Sequence, residues 1–195
     1  MKPDQPSQDV NVLRQHFAVV PEPVIHPVFV VVSGLPGTGK SFFSRKLAER
    51  TPFLIVESDE MRKALFPNPD YSAEESSRLF KALHSLLEEL LQKGISIILD
   101  ATNLVEFQRE RLYHIGDKIG VKLILIQVTA PAEVVRERLR QRANRKEISD
   151  KSDADWNVYE QMKTRVSSIK RNHFVVDTSQ DIEPVIEKIL RSIKR

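Results

Sequence analysis

The sequence predicts an α/β fold of three layers, in which a five-stranded parallel sheet lies between helices and a helical lid covers one end. Three observations lead there. Five Val/Ile/Leu-rich runs, at 28–33, 53–57, 95–100, 121–128 and 173–177, are nearly continuous in apolar character, as strands buried on both faces are. Segments of helical period separate them, so strand and helix alternate along the chain. The first run passes directly into a glycine-rich turn, Ser33-Gly-Leu-Pro-Gly-Thr-Gly-Lys-Ser41, which opens the next helix.

The elements follow in order. Residues 1–27 carry Pro3, Pro6, Pro21, Pro23 and Pro27, which suits an extended arm with one short helix around Val10 to Phe17. A single domain is expected over 28–195, without internal repeats. Ser72-Ala-Glu-Glu75 reads as a capping box, followed by Leu79, Leu83, Leu86, Leu87, Leu90 and Leu91 at helical spacing and a stop at Gly94. Asn103-Leu-Val-Glu106 offers a similar helix start, with an end near Gly116 to Gly120. Ser152 precedes a helix carrying Trp156, Tyr159, Met162, Val166 and Ile169, and Pro184 lies in the first turn of the last helix.

Composition narrows the function. The 195 residues are 41% hydrophobic and 29% charged, without an apolar run of about 18 residues or a signal-peptide core, so a soluble cytoplasmic protein without membrane contact is expected. The chain has no cysteine, which removes thiol nucleophiles and cysteine metal sites. Its net charge of +3 is concentrated in residues 131–146, where six cations meet two acids, leaving the rest near neutral. A local anion clamp fits this better than a broad nucleic-acid surface, and an oligonucleotide end stays open as a substrate. The five histidines show no metal-ligand spacing, and Trp156 and Tyr159 read as packing residues.

Gly34, Gly39, Lys40 and Ser41 fit G-x-x-x-x-G-K-[ST], the Walker A pattern. Glycines let successive N–H groups of Gly34, Leu35, Pro36, Gly37, Thr38 and Gly39 turn toward an anion where an N–H exists, and the following helix adds its positive end. Lys40 suits the β- and γ-phosphates of ATP and the Ser41 hydroxyl suits Mg²⁺. These residues lead to an expectation of nucleotide binding.

Ligands of open parallel sheets lie at the carboxyl ends of the strands. After the second run come Asp59 and Arg62, three apart at a helix start. Asp59 either accepts a hydroxyl proton while Arg62 binds the acceptor, or it caps the helix and Arg62 is a solvated charge. After the third run come Asp100, Thr102 and Asn103. Asp100 either orients Mg²⁺ or satisfies loop N–H groups, and Asn103 either binds substrate or caps the next helix. In the basic segment, Arg138 and Arg142 are four apart beside Val134, Val135 and Leu139, which suits a lid over the phosphates or a solvated cationic helix. Ala101 stands where mechanical ATPases commonly place a water-positioning glutamate, and no N-K-x-D guanine-reading element occurs. Phosphoryl transfer is therefore favoured over the two alternatives, hydrolysis and nucleotide sensing without turnover.

The set G-L-P-G-T-G-K-S, S-D-E-M-R-K, I-L-D-A-T-N, V-V-R-E-R-L-R-Q-R and S-D-A-D resembles the small P-loop kinases grouped with phage polynucleotide kinase, zeta toxins and chloramphenicol phosphotransferase, including predicted kinases termed AAA-family ATP-binding proteins. The resemblance spans roughly 28 to 195 and implies a three-layer P-loop NTPase fold acting with ATP and Mg²⁺ on a hydroxyl-bearing acceptor. It implies that Asp59 is the general base and Arg62 a substrate contact, that Asp100, Thr102 and Asn103 form the D-x-T-N-like element, and that Arg138 and Arg142 are the lid arginines, with Ser152 to Asp155 closing the lid region. Ala101 lengthens that element relative to the phage enzyme.

Overall fold

A computed structural model describes residues 5–145 and 154–194. The five apolar runs form β1 (Val28–Ser33), β2 (Leu54–Glu57), β3 (Ile97–Asp100), β4 (Lys122–Thr129) and β5 (Phe174–Asp177), all parallel, in the order β2-β3-β1-β4-β5. Around them lie α1 (Gln5–Gln15), α2 (Lys40–Ala48), α3 (Ser58–Leu65), α4 (Ala73–Gln92), α5 (Glu106–Ile119), α6 (Ala132–Arg145), α7 (Trp156–Lys163) and α8 (Glu183–Ile193).

The two-residue period of a strand divides the core. Phe29 and Val31 of β1 pack with Met61 of α3, the leucine stripe of α4 and Leu112 of α5 on one face. Val28, Val30 and Val32 pack on the other with Phe43 and Leu47 of α2 and Ile186 and Ile189 of α8. A third cluster joins Val135 and Leu139 of α6 to Tyr159 of α7, with Leu35 of the glycine-rich turn against it. Trp156 stacks on Tyr159 at 4.8 Å between ring centroids, so both rings pack as expected.

Ser72 caps α4 by accepting the Glu75 N–H at 3.1 Å. The carboxylate of Glu75 does not return to Ser72; it accepts the Asp70 N–H at 2.8 Å and pairs with Arg62, while Asp70 takes the Ser72 N–H. The capping box expected at Asn103 does not form. Val105 holds the N-cap position of α5 without a side-chain bond, because Asn103 adopts a left-handed backbone, φ 46°, and the Glu106 carboxylate is drawn to Arg109.

The helix expected near Val10 to Phe17 is Gln5–Gln15, and it is docked against α4 and α3. Leu13 is fully buried in the core, and the Asp9 carboxylate accepts two bonds of 2.7 Å from Arg78. His16 Nε2 lies 2.9 Å from Glu60 of α3. Among the described residues, no helix is long and apolar enough to cross a membrane. Ser152 lies outside the described residues; the helix expected after it is α7, which ends at Lys163, short of the expected Val166 and Ile169, and is capped by Asp155, whose carboxylate accepts the Val158 N–H at 2.9 Å.

Candidate active site

The strand order sets the site. With β3 between β2 and β1, the carboxyl ends of three strands meet beside the glycine-rich turn, and Asp100 lies in register with both Val32 of β1 and Glu57 of β2. Gly39 takes the N-cap position of α2 at φ 91°, so no side chain caps this helix and its first N–H groups face the turn. A Cβ on Gly39 would stand 2.9 Å from the Thr178 hydroxyl, and one on Gly34 would stand 2.4 Å from the Val128 carbonyl. Both positions need glycine for close backbone approach. Thr38 closes the turn by donating its hydroxyl to the Leu35 carbonyl at 2.8 Å.

Lys40 is half-buried as a residue, but its ammonium group is enclosed by the turn and donates to the same Leu35 carbonyl at 3.1 Å. Burial lowers its pKa, opposed by the negative charges of Asp100, Asp59 and Glu57 and reinforced by Arg142. Four charged groups from three separate stretches of chain thus act on one ammonium. Asp100 is 5% exposed, and burial raises its pKa against the pull of Lys40 and of a hydrogen bond from Ser41. Its Oδ2 is buried without a partner among the described residues. A buried carboxylate with one open oxygen beside a hydroxyl is a donor set of hard oxygens, which fits Mg²⁺.

Of the residues singled out in the sequence, Lys40, Ser41, Asp59, Asp100 and Arg142 are brought together. Asp59 is half-buried at the second position of α3, and Glu57 stands at the N-cap without a side-chain bond, so Asp59 does not cap this helix. Arg62, also on α3, is buried and tied to α4: it pairs with Glu75, donates to Ser76 Oγ at 3.1 Å, and lies 4.9 Å from the centre of the Tyr71 ring. Thr102 accepts the Gly34 N–H at 3.1 Å through its carbonyl. Asn103 is buried and directs its amide to the Val32 carbonyl at 3.2 Å. Arg138 donates to the hydroxyl and the carbonyl of Thr178 and reaches the Gly37 carbonyl at 3.5 Å.

Three further residues matter that the sequence patterns do not single out. Glu57 ends β2 opposite Asp100, and its place at a strand's carboxyl end is the available signal. Thr178 directly follows β5, so the same rule applies to it. Arg109, 2% exposed in mid-helix, carries no signal.

A family model described as AAA domain, AAA_33, matches residues 29–169. The L-seryl-tRNA(Sec) kinase of Methanococcus maripaludis is 29% identical over 115 residues, which cover 57% of this chain and 44% of that protein, so the chain spans less than half of that relative's length. Among solved structures, Kti12 of Chaetomium thermophilum in complex with ADP-AlF3 superposes with a TM-score of 0.67 at 21% identity, covering 85% of this chain and 98% of that one. The Mycobacterium tuberculosis APS kinase CysC in complex with AMPPNP and APS gives 0.63 at 17% identity, covering 89% and 100%. By its family match, the chain belongs to the AAA domain family AAA_33.

Proposed function

We propose that this protein is an ATP-dependent kinase that transfers the γ-phosphoryl group to a hydroxyl of a small molecule or of a polynucleotide 5′ end, with the kinase unit at 28–195 behind an N-terminal segment. The observation that carries this is the uncapped start of α2 in the glycine-rich turn, with Asp100 buried at the neighbouring strand end in register with Val32 and one of its oxygens open, and with the charges of Asp59 and Arg142 acting on the Lys40 ammonium. The turn from Gly34 to Ser41 holds the phosphates through backbone N–H groups that follow Gly34, whose own N–H is taken by the Thr102 carbonyl, and through the Lys40 ammonium. Ser41 and Asp100 would hold Mg²⁺, which would supply positive charge to offset that of the phosphates.

In the transfer, the acceptor oxygen forms a bond to the γ-phosphorus as the bond to the β-phosphate oxygen breaks, releasing ADP. Asp59 receives the hydroxyl proton. Lys40 and Arg142 stabilise the charge that spreads over the moving phosphoryl oxygens. Arg138, held by Thr178, fixes α6 to Gly37 and so sets where Arg142 stands one turn later. Ala101 is buried behind Asp100, which leaves no second acid at that position to orient water, and transfer is favoured over hydrolysis.

The test is a transfer screen with γ-labelled ATP across 5′-hydroxyl oligonucleotides, nucleosides, sugars, amino-sugar nucleotides and hydroxylated antibiotics. Label on an acceptor hydroxyl supports the reading. Phosphate release at a substantial rate with no acceptor would support hydrolysis instead, and tight ATP binding with neither product would support a sensing module.

A further inference from the structure

Arg109 is the largest fully buried side chain among the described residues, and nothing in the proposed chemistry uses it. Its guanidinium is nearly saturated. Nε donates to Glu106 Oε2 at 2.7 Å, Nη1 to the Asn103 carbonyl at 2.6 Å, and Nη2 to the carbonyls of Ser167 and Ser168 at 2.8 and 2.9 Å. Burying a cation is costly, and an apolar side chain would fill the same space more cheaply. What an apolar side chain would lack is the planar fork that joins three chain segments at once.

Those segments matter. Asn103 ends the turn that begins at Asp100, and its left-handed carbonyl also accepts the Ser33 hydroxyl at 2.8 Å. The Thr102 carbonyl accepts the Gly34 N–H, so the same turn is bonded to the start of the phosphate loop. On the other side, Ser167 and Ser168 lie in the chain that returns from α7 to β5. That return is sewn to the start of α5: the Glu106 N–H donates to Ser167 Oγ at 2.6 Å, the Ser167 N–H donates to the Leu104 carbonyl at 3.0 Å, and the Lys170 N–H donates to Glu106 Oε1 at 3.2 Å. Arg109 sits where the two sets of bonds meet.

We infer that Arg109 is a positioning residue that makes the Asp100–Asn103 turn and the return from α7 one mechanical unit, so that occupancy of the Asp100 side is felt at α7. The inference rests on the reading of Asp100 and Ser41 as the Mg²⁺ side of the site. Linkage makes the effect reciprocal: if metal binding biases α7, the position of α7 biases metal affinity by the same factor.

The chain supplies its own probe, because Trp156 is the one tryptophan and belongs to α7, stacked on Tyr159. AMPPNP is titrated into the full chain with and without Mg²⁺, by calorimetry and by Trp156 fluorescence. In the parent, Mg²⁺ tightens AMPPNP binding and changes the emission. In Arg109→Lys, which keeps the charge but loses the fork, metal-free AMPPNP binding stays near the parent's, the Mg²⁺-dependent tightening falls by about tenfold, the lower end for residues that orient metal ligands, and the emission no longer responds to Mg²⁺. An Arg109→Lys protein that matches the parent in both readouts overturns the inference. So does a parent in which Mg²⁺ tightens AMPPNP without touching Trp156, and this leaves the kinase reading standing; a parent that binds no AMPPNP sinks both. If Arg109→Lys does not fold, Ser167→Ala takes its place, removing the Oγ contact of 3.3 Å to Arg109 and the bond from the Glu106 N–H. A reduced Mg²⁺ response in Ser167→Ala supports the inference, and an unchanged one overturns it.

Discussion

Arg138 donates to the Thr178 hydroxyl at 2.8 Å and to the Thr178 carbonyl at 2.9 Å, and that hydroxyl in turn donates to the Thr38 carbonyl at 2.6 Å. One threonine after the last strand therefore links α6 to the phosphate loop. Thr178→Val keeps the shape and removes both hydroxyl bonds, leaving a buried loop carbonyl unpaired at a cost of about 1–3 kcal/mol. The expected result is a lower melting temperature and AMPPNP binding weakened by about tenfold, which corresponds to about 1.4 kcal/mol. Equal affinity in the two proteins would show that this link does not shape the nucleotide site.

Asp59 lies in the electrostatic neighbourhood of Lys40 and Asp100 without capping α3. Asp59→Asn should reduce phosphoryl transfer by about 10²–10⁴-fold, the usual contribution of a general base, with AMPPNP affinity nearly unchanged. Single-turnover rates and calorimetry on the same preparation check this. Loss of nucleotide affinity in parallel with transfer would move Asp59 from proton acceptor to phosphate-site support.

The buried pair Arg62–Glu75 joins α3 to α4. Removing one partner, as in Glu75→Gln, leaves an uncompensated buried charge and should destabilise the fold by about 3–5 kcal/mol. The double replacement Arg62→Met with Glu75→Leu should recover most of that stability in a denaturant melt. It also separates two roles: normal transfer by the double variant makes Arg62 a strut between helices, whereas a raised acceptor KM at unchanged kcat makes it a substrate contact.

Binding of Mg²⁺ and AMPPNP should depend on pH on both sides. Burial holds the Lys40 ammonium below 10.5, and bound phosphates favour its charged form, so its pKa is higher in the complex than in the free protein. Affinity is then complete below the free-protein value and declines as pH rises through it, earlier than an ordinary lysine would allow. Burial holds Asp100 above 3.8, and Mg²⁺ favours its ionised form, so its pKa is lower in the complex. Affinity is complete above the free-protein value and declines as pH falls through it. Calorimetry across pH should show both limbs, the acid one only when Mg²⁺ is present, and Lys40→Arg should remove the alkaline one. An alkaline limb that survives Lys40→Arg would assign it to another group.

Much of the architecture was legible because its signals are local. Each of the five strands lies within two residues of its apolar run, and Ser72 and Pro184 mark helix starts where their chemistry suggests. The phosphate loop was legible for the same reason, since glycine positions and the lysine follow from backbone geometry over eight residues. Asp59 and Asp100 were legible through their place at strand ends. Arg62 was harder: its spacing from Asp59 marks a shared helix but not the distant Glu75 that claims its guanidinium. Asn103 reads in the sequence as a substrate contact or a helix cap, and only the left-handed backbone and the Val32 carbonyl show what its amide does.

The amino-acid sequence by itself determined the strand–helix alternation, the anion-binding turn and the absence of thiol chemistry, because periodicity, glycine spacing and composition need no knowledge of which segments become neighbours. The tertiary structure decided which charges meet. Placing β3 between β2 and β1 brings Glu57, Asp100 and Lys40 to one edge, docks α1 on the helix that carries Asp59, and seats Arg109 between the turn after Asp100 and the return from α7. Apart from the Arg109–Asn103 bond, these are contacts between residues more than a dozen positions apart, set by crossover order and core packing, and no local pattern encodes them.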